Sequence, residues 1–237
     1  MELEKARKKL AEAGSVAILT GAGVSAESGV PTFRGEGGLW RNYRAEELAT
    51  PDAFERNPSL VWEWYDWRRG ILAPLKPNPG HFAIAGMEKK FDNFLLITQN
   101  VDGLHAKAGS RKMVELHGNI WKVRCLADGK VSDNHETPLK TLPPRCECGS
   151  MLRPHIVWFG ESLDSGVLEA AFSAARDCEV FIVAGTSSLV QPAASLAGIA
   201  KDSGAYVIEI NLEATPVSGM VDASIRGKSG EVLPLLV

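Results

Sequence analysis

Three groups of residues in this chain have types and spacings that do chemistry. Gly21 and Gly23 stand one residue apart after a short apolar run, residues 16–19, that suits a buried parallel strand. Two close glycines at such a place let the backbone turn sharply and present N–H groups to a pyrophosphate, which points to a dinucleotide. The ordinary dinucleotide fingerprint is incomplete, because no acidic residue ends a second strand roughly 20 residues on. His117 closes a strand-like run, residues 113–116, and is followed by Gly118. An imidazole that titrates near neutrality can take up or give back a proton in the pH range where an enzyme works. Tyr65 and Arg68 lie three apart in a helical stretch and so point to one spot.

These groups need elements that place them. Leu3, Ala6, Leu10 and Ala13 repeat at helical spacing, and Gly14 ends that lead-in helix before the strand at 16–19. Residues 33–76, aromatic and basic with several prolines, read as a small helical insertion. After the turn Pro77-Asn78-Pro79-Gly80 come a helix at 81–90 and a buried strand at 94–98, which delivers Gln99-Asn100-Val101-Asp102. Residues 118–154 are polar, carry cysteines and form a second insertion. The apolar residues 156–159 suit either a core strand or a surface that receives a peptide. A helix at 168–176, a strand at 180–184, a helix at 193–201 and a strand at 206–210 complete the alternation, with Gly185-Thr186-Ser187 and Asn211-Leu212-Glu213 after the two strands.

Strand and helix alternating in this way predict an α/β fold, a doubly wound, Rossmann-like parallel sheet with ligands outside the carboxyl ends of its strands. The nucleotide domain is expected to be discontinuous, residues 1–32, 81–117 and 156–237. The insertions at 33–80 and 118–155 form the smaller domain.

With 45% hydrophobic and 23% charged residues, the 237-residue chain should be globular, with one sizeable core and an appendage. A net charge of −3 supplies no field that would gather nucleic acid or anionic lipid. The first ten residues mix both signs and lack the apolar core of a secretory signal. No apolar run approaches the ~20 residues of a membrane span. A cytoplasmic enzyme with neither nucleic acid nor membrane as a direct partner is the expectation. Three of the four cysteines cluster between positions 125 and 148, which suits a metal site in a reducing compartment better than disulfides.

Residues 21–34, Gly-Ala-Gly-Val-Ser-Ala-Glu-Ser-Gly-Val-Pro-Thr-Phe-Arg, resemble the cofactor-binding signature of the sirtuins, NAD-dependent protein lysine deacylases. The resemblance runs from Thr20 to about Glu231. It implies NAD contacts from Gly21, Ala22, Gly23, Ser25, Ala26, Glu27, Phe33, Arg34 and Trp40. By the same likeness Asp102 accepts a hydrogen bond from the nicotinamide carboxamide, Asn100 places the ribose and a water, and Gln99 and Val101 flank them. His117 in Leu-His-Gly matches the catalytic base. Gly185, Thr186, Ser187, Asn211, Leu212, Glu213 and Ser229 match the adenosine side. Read from the residues alone, Gln99 to Asp102 can equally be a capped strand-to-helix loop.

Val157, Phe159, Gly160 and Glu161 look like the family's peptide-binding segment, where an acylated protein or peptide lies as an added strand. Asn57-Pro58-x-x-Val61-Trp62-x-x-Tyr65-x-x-Arg68 resembles the subclass that removes succinyl and malonyl groups, in which tyrosine and arginine grip the distal carboxylate. The family's zinc ribbon holds its metal with two Cys-x-x-Cys pairs. Here the first survives as Cys125-Leu126-Ala127-Asp128 and the second is Cys146-Glu147-Cys148, leaving three thiolates, with Asp128 or His135 as a fourth ligand. NAD is then a consumed co-substrate and zinc a structural extra. Mono-ADP-ribosylation and non-enzymatic NAD sensing are the rival readings.

Overall fold

Helix α1 (Glu2–Glu12) buries Ala6 and Leu10 and feeds the chain into β1 (Ser15–Thr20), buried at every position after the first. The computed structural model describes residues 2–31, 39–40 and 43–237, the side chains of Leu39 and Trp40 excepted. Phe33, Arg34 and the Trp40 side chain therefore lie outside the described residues. From β1 the chain runs through α2 (Ala22–Ala26), β2 (Leu39–Trp40), β3 (Tyr43–Arg44), α3 (Ala45–Leu48), α4 (Pro51–Arg56) and α5 (Pro58–Leu72). Helix α6 (Pro79–Lys90) brings it back to β4 (Asn93–Thr98), α7 (Leu104–Ala108) and β5 (Met113–Glu115). A second excursion, β6 (Gly118–Cys125), β7 (Val131–Asp133) and β8 (Leu152–Ile156), precedes α8 (Ser165–Asp177) and β9 (Val180–Ala184). A 3-10 turn (Ala193–Ser195), α9 (Leu196–Asp202), β10 (Tyr206–Asn211), β11 (Ala223–Arg226) and α10 (Ser229–Leu236) follow.

Six strands pair in the order β11-β10-β9-β1-β4-β5, and every pairing is parallel. The chain leaves β1 toward β4 and β5, then returns to the other side of β1 with β9. That reversal makes β1 and β9 the walls of a topological switch point, where open α/β sheets bind ligands. Apolar residues fill both faces, with Val16, Ile18, Ile182 and Ile208 on one and Ala17, Leu19, Phe181 and Val207 on the other. Strands buried on both faces read as continuous apolar runs, which is why residues 16–19 and 180–184 are legible in the sequence.

The smaller domain is an antiparallel sheet, β7-β6-β8, under the helical insertion. Asn57 caps α5 by accepting from Leu60 N at 3.1 Å, and Pro58 occupies the first turn. One face of α5 then buries Val61, Trp62, Tyr65 and Leu72 against Ile120, Val123, Leu152 and Trp158. Arg69, fully buried, crosses to β6: its Nε donates to the Ile120 carbonyl at 2.9 Å, and Nη1 to Asn134 Oδ1 at 2.7 Å. Residues 156–159 do not extend the main sheet. Strand β8 ends at Ile156, and Ile156 and Trp158 pack into this smaller core.

Strand β11 and helix α10 carry no strong sequence signal. The first is four residues long, and the second contains Pro234, a residue that ordinarily argues against a helix interior.

Candidate active site

The loops after β1 and β9 interlock at the switch point. Gly21 N donates to the Ala184 carbonyl at 3.1 Å, and Gly23 N to the Gly185 carbonyl at 2.8 Å. A Cβ on Gly21 would lie 2.7 Å from the Thr186 Cβ, and one on Gly23 would lie 2.8 Å from the Gly185 Cα. Both glycines are thus required for backbone-to-backbone approach, and their own N–H groups bond the partner loop instead of facing outward as expected. Gly185 adopts φ +58, and a Cβ there would stand 2.4 Å from Val24 N. Gly185→Ala is expected to cost about 3–5 kcal/mol through strain and clash, read as a lowered urea midpoint. An unchanged midpoint would show that the two loops are not rigidly docked.

Beneath these loops Ser25 collects a closed set of hydrogen bonds. Asn78 N donates to His81 Nδ1 at 3.2 Å, so the ring's proton is on Nε2, which faces Ser25 Oγ at 3.3 Å. Asn100 Nδ2 donates to the same Oγ at 3.2 Å and to the Gly21 carbonyl at 3.0 Å. The serine hydroxyl stands near the Asp102 carboxylate, which accepts Leu104 N at 2.8 Å. Burial raises the Asp102 pKa, while these bonds and the Arg68 charge lower it. The expected loop cap at Asp102 is therefore present, and Asn100 in addition reaches across to the β1 loop. Gln99 Nε2 donates to Thr186 Oγ1 at 3.0 Å and ties the third strand end to the other two.

His117 leaves β5 with its ring against this loop. Its Nδ1 lies 3.1 Å from the Gln99 carbonyl, which can only accept, so Nδ1 carries the hydrogen. The lone pair of the neutral ring is then on Nε2, to which no described residue bonds. Burial lowers the pKa, opposed by the Gln99 bond, and the ring is a neutral proton acceptor at pH 7. Strand β6 continues from here: Ile120 N bonds the Val101 carbonyl at 2.9 Å, and Trp121 Nε1 the Asp102 carbonyl at 2.8 Å. Both domains thus meet on residues 99–102.

Tyr65 and Arg68 lie on the α5 face toward that loop. Tyr65 is buried, and its hydroxyl accepts Trp158 Nε1 at 2.9 Å. Burial pushes the phenol up to about 12 and lowers the Arg68 pKa, against which the Asp102 charge acts. The Arg68 guanidinium also stands 5.0 Å from the Trp64 ring centre. The two side chains are brought together as the helical spacing predicts.

Residues 157–161 form a turn. The N–H groups of Val157, Trp158, Phe159 and Glu161 bond His117 O, Glu161 Oε2, Ala49 O and Trp158 O. Within it Val157 is half-buried and Phe159 exposed. Gly160 takes φ +88 within the turn. The Glu161 carboxylate grips Arg153 bidentately at 2.6 and 2.8 Å and so braces the turn.

After β10, Asn211 Nδ2 and Arg226 Nη1 both donate to the Glu213 carbonyl, at 3.1 and 2.8 Å. Leu212 is exposed, Thr186 and Ser229 are buried and Ser187 is half-buried. Glu27, exposed like Ala26, accepts Gly230 N at 2.6 Å, so the β1 loop and the start of α10 meet although far apart in sequence. Ala22 is half-buried.

The pattern of the Sir2 family matches residues 21–192. The chain belongs to the Sir2 family. Among relatives of this Sir2 chain, an NAD-dependent protein deacylase of Aquifex aeolicus is 56% identical, covering 91% of the chain and 90% of the relative. One of Pyrococcus furiosus is 51% identical over 99% and 96%. A crystal structure of a Sir2 homologue–NAD complex superposes with a TM-score of 0.93 at 49% identity, covering 98% of this chain and 91% of that one. A Sir2–p53 peptide–NAD+ structure gives 0.87 at 32% identity over 98% and 96%.

The Sir2 chain's three clustered thiols fit zinc. Cys125, Cys146 and Cys148 place their sulfurs within 4.8 Å of one another, and Cys125 and Cys148 are 3.6 Å apart. Tetrahedral zinc–thiolate bonds require about 3.8 Å between sulfurs. Asp128 lies near Cys125 and is the carboxylate at hand, whereas His135 stacks 5.7 Å from the Trp121 ring, outside the thiol group. Zinc held here would brace β6 and the chain before β8, with no part in the site's proton transfers.

Sequence reasoning missed three residues of the Sir2 site, Asn78, His81 and His105. Asn78 before Pro79 is a readable helix cap, yet its Nδ2 also reaches the Val24 carbonyl at 2.7 Å. His105 contacts Thr20 Oγ1 at 3.0 Å and lies 4.7 Å from the His81 ring, a pairing no local signal reveals. Burial lowers the two pKa values to about 4 and about 3 from an ordinary 6.5. The unfolded chain therefore binds more protons, and the stability from these neutral rings, complete above pH 6.5, is lost as pH falls toward 4 and then 3. Each ring contributes on the order of 3 kcal/mol to that slope. Urea midpoints should fall steeply between about pH 6 and pH 4.5, and a flat profile would contradict the neutral pair.

Proposed function

We propose that this Sir2 protein is an NAD-dependent protein-lysine deacylase that removes succinyl and malonyl groups, and acetyl groups as well, from protein or peptide lysines. The acyl oxygen attacks the anomeric carbon of NAD as nicotinamide leaves. His117 Nε2 takes the proton of a ribose hydroxyl, which then attacks the acyl carbon. A water then adds to the acyl carbon as the lysine amine leaves, so the products are free lysine, nicotinamide and O-acyl-ADP-ribose. Asn100, held by Ser25 and the Gly21 carbonyl, and Asp102, held by Leu104 N, position the nicotinamide end, and the loops after β9 and β10 take the adenosine end.

The observation that carries this reading is the tautomer of His117. With Nδ1 held by the Gln99 carbonyl, the free lone pair belongs to the nitrogen farther from the loop. A module that only binds NAD has no use for such a base. The acyl class is supported by the buried Tyr65 hydroxyl and the Arg68 charge on one helix face.

Incubation with NAD and succinyl-, malonyl- and acetyl-lysine peptides, followed by mass spectrometry, tests the proposal. The expected products are the acyl-ADP-ribose and the bare peptide. Covalently ADP-ribosylated protein would instead establish a transferase to protein side chains, and unconsumed NAD a sensor.

A further inference from the structure

We propose that Trp158 is a positioning residue that sets specificity for acidic acyl groups, by fixing the hydroxyl of Tyr65 in the orientation that receives a carboxylate. The inference rests on the acyl class proposed above. Trp158 Nε1 lies 2.9 Å from the Tyr65 hydroxyl oxygen. An indole nitrogen only donates, so the phenol is compelled to accept at that contact, and its single proton turns away from Trp158. Among the described residues no acceptor takes this proton, although Tyr65 is only 1% exposed. A buried polar group normally finds a partner. Here the unclaimed proton lies beside the positive charge of Arg68, a pair complementary to a carboxylate. An acetyl group ends in a methyl and offers it nothing.

Trp158 is itself held. The Arg153 guanidinium stands 3.5 Å from its ring centre, and the Phe54 ring 5.1 Å. Glu161 grips Arg153 with both oxygens, and one of them, Oε2, also accepts Trp158 N at 2.9 Å. The indole cannot swing away without opening a half-buried ion pair. Glu161 and Arg153 therefore set Trp158, and Trp158 sets Tyr65.

The test is a double-mutant cycle of Trp158→Phe and Tyr65→Phe in the full chain, with KM and kcat measured on succinyl- and acetyl-lysine peptides. Phenylalanine keeps a ring under Arg153 and deletes the N–H. Trp158→Phe is expected to raise KM for the succinyl peptide about three- to tenfold, with a smaller change in kcat and in the acetyl KM. In the Tyr65→Phe background the same substitution should add little. Equal KM changes on both peptides, or an undiminished effect without the hydroxyl, would overturn the role of Trp158 while leaving the acyl class standing. A wild-type protein that deacetylates without desuccinylating would overturn the acyl class, and this inference with it. Should Trp158→Phe not fold, Tyr65→Phe alone decides: an unaltered succinyl KM would remove the hydroxyl from recognition.

Discussion

His117→Asn is expected to lower deacylation of every acyl-lysine peptide by about a hundred- to ten-thousandfold, the usual contribution of a general base. Asparagine is the sharper replacement because its amide can still donate to the Gln99 carbonyl now 3.1 Å from Nδ1. The loop 99–102 is thereby kept while the proton acceptor is lost. NAD affinity, measured by calorimetry, should move far less than the rate. A variant that retained more than a tenth of the activity would remove His117 from the base role. The wild-type pH profile carries a linked expectation. Because burial lowers the His117 pKa, the neutral ring persists below the ordinary value of 6.5, and the acid limb of kcat/KM should lie beneath it. An acid limb above 6.5 would contradict the environment described for this ring.

Arg68→Met should separate the substrates. A charge-assisted contact to a buried carboxylate contributes roughly 1.5–3 kcal/mol, so kcat/KM for a succinyl peptide is expected to fall about ten- to a hundredfold. Deacetylation should fall much less. Some loss there is expected, because the Arg68 charge also lowers the pKa of Asp102, which burial raises. Arg68→Lys tells the two effects apart: it keeps a charge near Asp102 but lacks the planar fork, and should restore deacetylation more fully than desuccinylation. Equal losses on both substrates in Arg68→Met would leave Arg68 as a partner of Asp102 alone.

These two experiments address different parts of the crevice, and the fold shows why they are separable. His117 follows a strand of the parallel sheet, while Arg68 rides on a helix of the smaller domain. The two domains meet at the loop 99–102, where Val101 enters the smaller core and Gln99 binds both His117 and Thr186. A change at Arg68 is felt through Asp102, and a change at His117 through Gln99.

The amino-acid sequence by itself determined the parallel sheet, β11 excepted, and the positions of its polar loops. Strands buried on both faces must be continuous apolar runs, and glycine, asparagine and aspartate at their ends leave few other conformations. It also placed Tyr65 and Arg68 on one face, since helical periodicity is local. Tertiary structure alone decided why Gly21 and Gly23 are needed, because their nearest neighbours, Gly185 and Thr186, lie across the switch point. It decided the protonation of His81 and His105, set by burial among distant elements, and the direction of the Tyr65 hydroxyl, set by an indole that arrives from the turn after β8. Hydrogen-bond direction and desolvation depend on which groups converge in space, and such convergence has no periodicity along the chain.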